Sequence, residues 1–159
     1  MAVVDTQVQI ELSGPAGSAG PAAGDRVLIR VVGRKHPQAA ESSDGNWLVS
    51  PITVQVGGFV GQIAAGLRAE ELVRFREGLE HVAAHGSGTA VLNSIEEWLS
   101  LAVVLEPSGV LSISGAAADQ PGIGNTLHFT LPPIDGSLLG RLVEDLRACE
   151  RAYPPLQDL

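Results

Sequence analysis

Val8, Ile10 and Leu12 alternate with Gln9 and Glu11, and Gln7 stands ahead of them. A period of two with one apolar face predicts a half-buried strand. The same period returns from Arg26 to Arg34, where Val27, Ile29 and Val31 oppose Leu28, Arg30 and Val32. After a loop ending in the turn dipeptide Asp44–Gly45, residues Trp47 to Val56 read as a third strand. Pro51 is its awkward residue: proline has no amide donor, so it implies a sheet edge or a bulge. Gly57–Gly58 is the two-residue loop that a tight hairpin needs. Beyond it Phe59, Gly61, Ile63, Ala65 and Leu67 are expected inward, alternating with Val60, Gln62 and Ala64.

The period then changes. Leu72, Phe75, Leu79 and Val82 recur at helical spacing, with Glu70 and Glu71 in the first turn and Gly86 as the stop. Alternation resumes in TAVLNS and in EWLSLAVVLEP, which puts Leu99, Leu101, Val103 and Leu105 on one face. Turns at Pro107–Gly109 and in QPGIGN separate two further strands, carrying Leu111 and Ile113, then Leu127, Phe129 and Leu131, inward. A last helix gathers Leu138, Leu139, Leu142, Val143, Leu146 and Cys149 on one side, and Pro154–Pro155 ends it.

Short turns within each strand group imply antiparallel pairing, because parallel neighbours need long crossovers. The expected fold is α+β, an antiparallel sheet of about seven or eight strands with two amphipathic helices packed on one face, a two-layer sandwich. Its other face carries Ser100, Ser112, Ser114, Thr126, His128 and Thr130. Residues 1–25 read as an N-terminal strand or arm plus the Gly/Ala/Pro-rich stretch Ser13–Asp25, expected to be a flexible loop, and residues 26–159 as a single domain.

Composition narrows the function. The 159 residues suffice for one core at 45% hydrophobic content. No apolar run approaches the roughly 18 residues of a membrane span, and the N-terminus lacks the form of a secretory signal. One cysteine rules out an intramolecular disulfide framework, so a cytoplasmic location is expected. A formal charge of −8 disfavours binding to a phosphate backbone and suits a basic protein partner.

No catalytic residue, cofactor site or metal site stands out. His81 and His85 lie four apart, but HVAAH lacks the glutamate of a zinc-protease helix and a third ligand. Cys149 sits on an apolar stripe, where cysteine behaves as a small hydrophobe. GGFVG and PGIGN match no phosphate-binding loop. His128 with Asp119 has no fixed acid–base geometry. Trp98 falls on the side opposite Leu99 and Leu101, so with His128 it marks the outer sheet face as an interface candidate.

Two segments, GNWLVSPITVQVGGFVGQIAAGLRAEELVRFREGLE and SIEEWLSLAVVLEPSGVLSISGAAADQPGIGNTLHFTLPPIDGSLLGRLVEDL, resemble the bacterial WapI-type immunity proteins and their uncharacterised relatives. The likeness rests on an NWL strand start, a helix opening with AEEL, an EEWLSL strand, a GNTLHF strand and a C-terminal helix, and covers most of residues 26–152. It implies a small cytoplasmic protein that binds and neutralises the toxic domain of a contact-dependent toxin, with no catalytic residues to carry over.

These readings predict a non-enzymatic interaction protein, with a basic toxin domain as partner, no nucleic acid and no membrane. The alternative is a small-molecule-binding or sensory domain built around Trp98 and His128. Partner-binding candidates are Trp98, His128, Glu70, Glu71, Glu96 and Glu97. A homodimer through the open sheet face fits either reading; a monomer mass in light scattering at micromolar concentration would contradict it.

Overall fold

The computed structural model describes residues 7–14 and 24–158, and most of the Ser13–Asp25 stretch lies outside them. In chain order the elements are β1 (Val8–Ser13), β2 (Arg26–Val31), β3 (Gly33–Arg34), α1 (Ser42–Gly45), β4 (Leu48–Val49), β5 (Ile52–Val56), β6 (Phe59–Ile63), α2 (Ala69–His85), β7 (Gly88–Asn93), β8 (Leu99–Leu105), β9 (Val110–Ala118), β10 (Thr126–Thr130), β11 (Ile134–Asp135) and α3 (Leu138–Ala152).

The class is α+β with antiparallel pairing, as the alternation predicts, but the strands do not form one sheet. One sheet runs β1-β2-β5-β6, a second runs β10-β9-β8-β7 with β11 beside β9, and β3 and β4 form a small pair. The helices account for the division. α2 follows β6 and packs against β7, α3 packs against β1, and the two helices pack on each other. The sheets are therefore linked through the helix pair at one end, leaving β6 and β10 as the outer strands at the other. Val27, Ile29 and Val54 from the first sheet, Leu101, Val103 and Ile113 from the second, and Phe75, Leu79 and Leu142 from the helices all enter one buried cluster.

A bulge lies opposite Pro51. Ile29 faces Ile52 while Gly33 faces Val49, so Arg30, Val31 and Val32 stand against Ser50 and Pro51 alone. The bulge breaks the expected Trp47–Val56 strand into β4 and β5. Ser50, fully buried at the break, fills part of the gap by accepting the Leu67 N–H on its Oγ at 2.7 Å. Asp44–Gly45 belongs to the short α1 rather than to a simple turn. The Gly57–Gly58 hairpin forms as expected, with Gly57 at φ 55°. Phe59, expected inward, is instead 66% exposed, at the tip of the hairpin directly after its two-residue turn.

The residues after α3 fold back on α1. The Asn46 side chain accepts the Leu156 N–H at 2.7 Å and donates to the Leu156 carbonyl at 3.2 Å, imitating a strand pair. Asp158 accepts from both the N–H and the hydroxyl of Ser42. Between the helices, Arg76 donates to Glu80 on its own helix and to Glu150 on α3, each at 3.0 Å, and Arg147 reaches back to Glu80 at 2.9 Å.

Gly115 in β9 is required by close packing. A Cβ there would collide with the Ser100 carbonyl and lie 2.9 Å from Phe129 Cζ. Gly115→Ala is expected to lower unfolding free energy by about 1–3 kcal/mol, measured by urea denaturation.

Candidate functional site

The second sheet has one dry face and one open face. Leu99, Leu101, Val103 and Leu105 of β8 are buried while Ser100, Ala102 and Val104 between them are not. Cross-strand register lines up Asn93, Ser100, Ala116 and His128 in one row, and Val91, Ala102, Ser114 and Thr130 in the next. Side chains this small let another surface approach the backbone closely. Two open concavities, of about 590 and 570 Å³, lie here and share Asn93, Ser100 and Ala116.

The first concavity is a cleft between the β7–β8 and β9–β10 loops. Each loop lifts one isoleucine into solvent, Ile95 at 72% exposure and Ile123 at 87%. Neither loop is slack. Asp119 grips the far side of its loop, accepting the Asn125 N–H at 2.7 Å and the Asn125 side-chain amide at 2.9 Å. Those bonds hold its carboxyl below the ordinary range. Gly122, at φ 82°, and the Gly124 N–H to Gln120 carbonyl bond at 2.9 Å shape the tip that carries Ile123.

The opposite loop is held from behind by Glu71. This carboxylate is buried, accepting the Arg68 N–H at 2.9 Å as a capping box does and the Ile95 N–H at 2.7 Å across to the loop. Burial raises its pKa, and the two N–H donors oppose that rise. The Ser94 side chain accepts from the Leu99 N–H at 3.2 Å, and the Glu97 N–H donates to the Ser94 carbonyl at 2.9 Å. Glu97 adopts φ 60°, the one non-glycine positive φ among the described residues. A left-handed L-residue costs about 1–2 kcal/mol.

Of the six candidate residues, two line the concavities of the open face. Glu97 lines the cleft and His128 lines the adjoining concavity. Glu96 is exposed and accepts the Trp98 indole N–H at 3.1 Å, while Trp98 itself is partly buried against the core. The other two sit at the start of α2. Glu70 is ion-paired with Arg68, whose guanidinium also stacks 4.7 Å from the Trp47 ring centroid. Glu71 is not a surface group at all; it is the strut that positions Ile95. Its place in the helix's first turn signals a cap, but nothing in the sequence signals the bond to Ile95. Ile95 and Ile123 went unnoticed as site residues, although an isolated isoleucine inside the glycine turn PGIGN is the available clue.

Elsewhere, burial pushes the Cys149 thiol up to about 12, which keeps it protonated and unreactive. His81 and His85 stack with ring centroids 4.1 Å apart, and among the described residues no three His, Cys, Asp or Glu side chains converge as metal ligands. Among those residues, no helix is long and apolar enough to cross a membrane.

The model of the family described as Immunity protein WapI-like family matches residues 20–154. No curated protein and no solved structure matches the chain.

Because folding favours the neutral form of Glu71, the stability linked to it is fully present below the ordinary carboxyl range. It is lost as pH rises through the higher folded value. Urea midpoints of the wild type and Glu71→Gln, compared across that interval, are expected to differ by a component that falls with pH in the wild type and is absent from the variant. Glu71→Ala frees two amides and is expected to cost about 1–3 kcal/mol, with faster hydrogen exchange at Ile95.

Proposed function

The chain belongs to the Immunity protein WapI-like family, and from that premise we propose that it binds and neutralises the toxic domain of a bacterial toxin in the cytoplasm, without catalysis of its own. The observation that carries the reading is the cleft between Ile95 and Ile123: two exposed apolar side chains held on braced loops at the end of an uncharged sheet face. Exposed aliphatic groups flanking a hollow, with acidic groups at the rim, suit an apolar centre and polar border of the kind protein interfaces use. Glu97 and His128 are the only ionisable groups lining the two concavities. Both concavities are walled mainly by small and polar side chains, with no aromatic cluster to enclose a metabolite, which favours a protein surface over a small ligand.

The acidic balance of the chain supports a basic toxin partner. Glu97 at the cleft and the exposed Glu96 next to it in sequence, with the net charge of −8, would speed encounter with such a domain. The left-handed Glu97 supports the same reading: glycine would fit its backbone without strain, and the residue present instead places a carboxylate on the cleft wall.

Co-expression with a toxin-like domain encoded beside this chain, followed by purification and a growth assay, tests the proposal. A stoichiometric complex with restored growth is expected, with an association rate that falls as salt rises; continued toxicity without a complex would end the pairing. Ile95→Asp and Ile123→Asp are each expected to weaken the complex at least about tenfold, about 1.4 kcal/mol, with unchanged folding. Glu97→Gly is expected to stabilise the free protein by up to about 1 kcal/mol while slowing association.

A further inference from the structure

β6 and β10 are the outer strands of their sheets, and both line a single groove of about 410 Å³ that adjoins the isoleucine cleft at Thr126. Val54, Ile63, Ala117 and Leu127 contribute apolar wall to it, and Asp119 is its one charged lining residue. Around the core, the first sheet leads through α3 and α2 to the second sheet, and this groove is where the circuit stays open.

The free backbone groups on each side can be assigned. The two-residue Gly57–Gly58 turn closes on Val56 and Phe59, which makes that pair hydrogen-bonded. Pair types alternate along an antiparallel ladder, so Val60 and Gln62 turn their N–H and C=O groups away from β5. Opposite, the Asp119 N–H donates to the Asn125 carbonyl and the Leu131 N–H to the Ile113 carbonyl. By the same alternation Leu127 and Phe129 face β9 with their backbone groups, while Thr126, His128 and Thr130 present theirs outward. Those outward groups have no protein partner among the described residues.

Natural edge strands are protected against pairing by charges, prolines or bulges. β6, with the sequence FVGQI, has none of these, and Phe59 and Val60 are 66% and 65% exposed. β1, the other outer strand of that sheet, carries Glu11 and has α3 against it, and β7 has α2 against it. The unprotected strands are the two that border the groove.

We propose that the groove between β6 and β10 binds an extended segment of another protein as an added β-strand, with alternate apolar side chains against its wall and basic residues flanking it. The hydrogen-bonding demand of the two edges specifies an extended backbone. The ionised Asp119 at the groove, and a chain with 18 acidic against 10 basic residues, specify the sign of the flanks. Main-chain pairing makes such binding tolerant of sequence, and it stands whether or not the partner is a toxin.

The test uses a synthetic ten-residue peptide of alternating valine and threonine with an arginine at each end and both termini blocked, titrated into the isotopically labelled full chain. Saturable binding is expected below about 1 mM. Hydrogen exchange is expected to slow at Val60, Gln62 and Thr126, and Gln62→Pro, which removes one outward donor, is expected to weaken binding. The same peptide N-methylated at every second residue is expected to bind at least about tenfold more weakly. Equal binding of the methylated peptide, protection confined to other strands, or no saturable binding would each overturn the proposal, and none of these results depends on the variant folding.

Discussion

Two sheets that are each apolar on a single face are unstable apart in water, and among the described residues only two long helices are present to cover them. Sharing one core is the constraint from which the other features follow. It sets α2 and α3 between the two sheets and turns the residues inside β8 and β9 toward Phe75 and Leu142. It also leaves the second sheet's outer face without cover. Hydrophobic burial of this kind has no direction of its own. The polar devices supply direction: the Arg76–Glu80–Glu150 links between the helices and the Asn46–Leu156 pairing that holds the chain end to α1.

The same division separates scaffold from recognition. The floor of the open face is built of serine, alanine and threonine on paired strands, while the groups suited to contact a partner stand on two loops at its end. Each loop is rigid because a carboxylate accepts its N–H groups, Asp119 within one and Glu71 behind the other. These carboxylates are shifted in opposite directions, since Asp119 is solvated and well hydrogen-bonded whereas Glu71 is enclosed. Preorganised loops of this sort lose little freedom on association, which favours affinity.

Much of the fold was legible in local pattern. Period-two alternation identified Ile10, Leu12, Val27 and Ile29 as buried, and the helical stripes of α2 and α3 emerged with their stops. Alternation reports which face is dry but carries no information on which strand lies beside which, so the break between β6 and β10 was not readable. Phe59 shows the same gap: its parity is inward, yet its sheet has nothing to cover it at that point. The family likeness was readable because NWL, AEEL and GNTLHF fall at strand and helix boundaries, where local signals are strongest. The site was only partly legible. Glu97 was named for its charge and His128 for its place on the polar side of the alternation, whereas the role of Glu71 depends on Ile95, twenty-four residues away.

The packing of α3 on β1 has a consequence for how the protein is made. β1, with Ile10 and Leu12 on its apolar face, acquires its helical cover from α3, which follows it in the chain after all the other described elements. Until then the nascent chain holds a sheet with apolar surface open to water, and α2 lacks its partner as well. Chains of high contact separation close slowly and are exposed to aggregation while they wait. Closing the first sheet's apolar face thus waits on a contact between elements near the two ends of the described residues, β1 and α3, and every element between them must be in place around it.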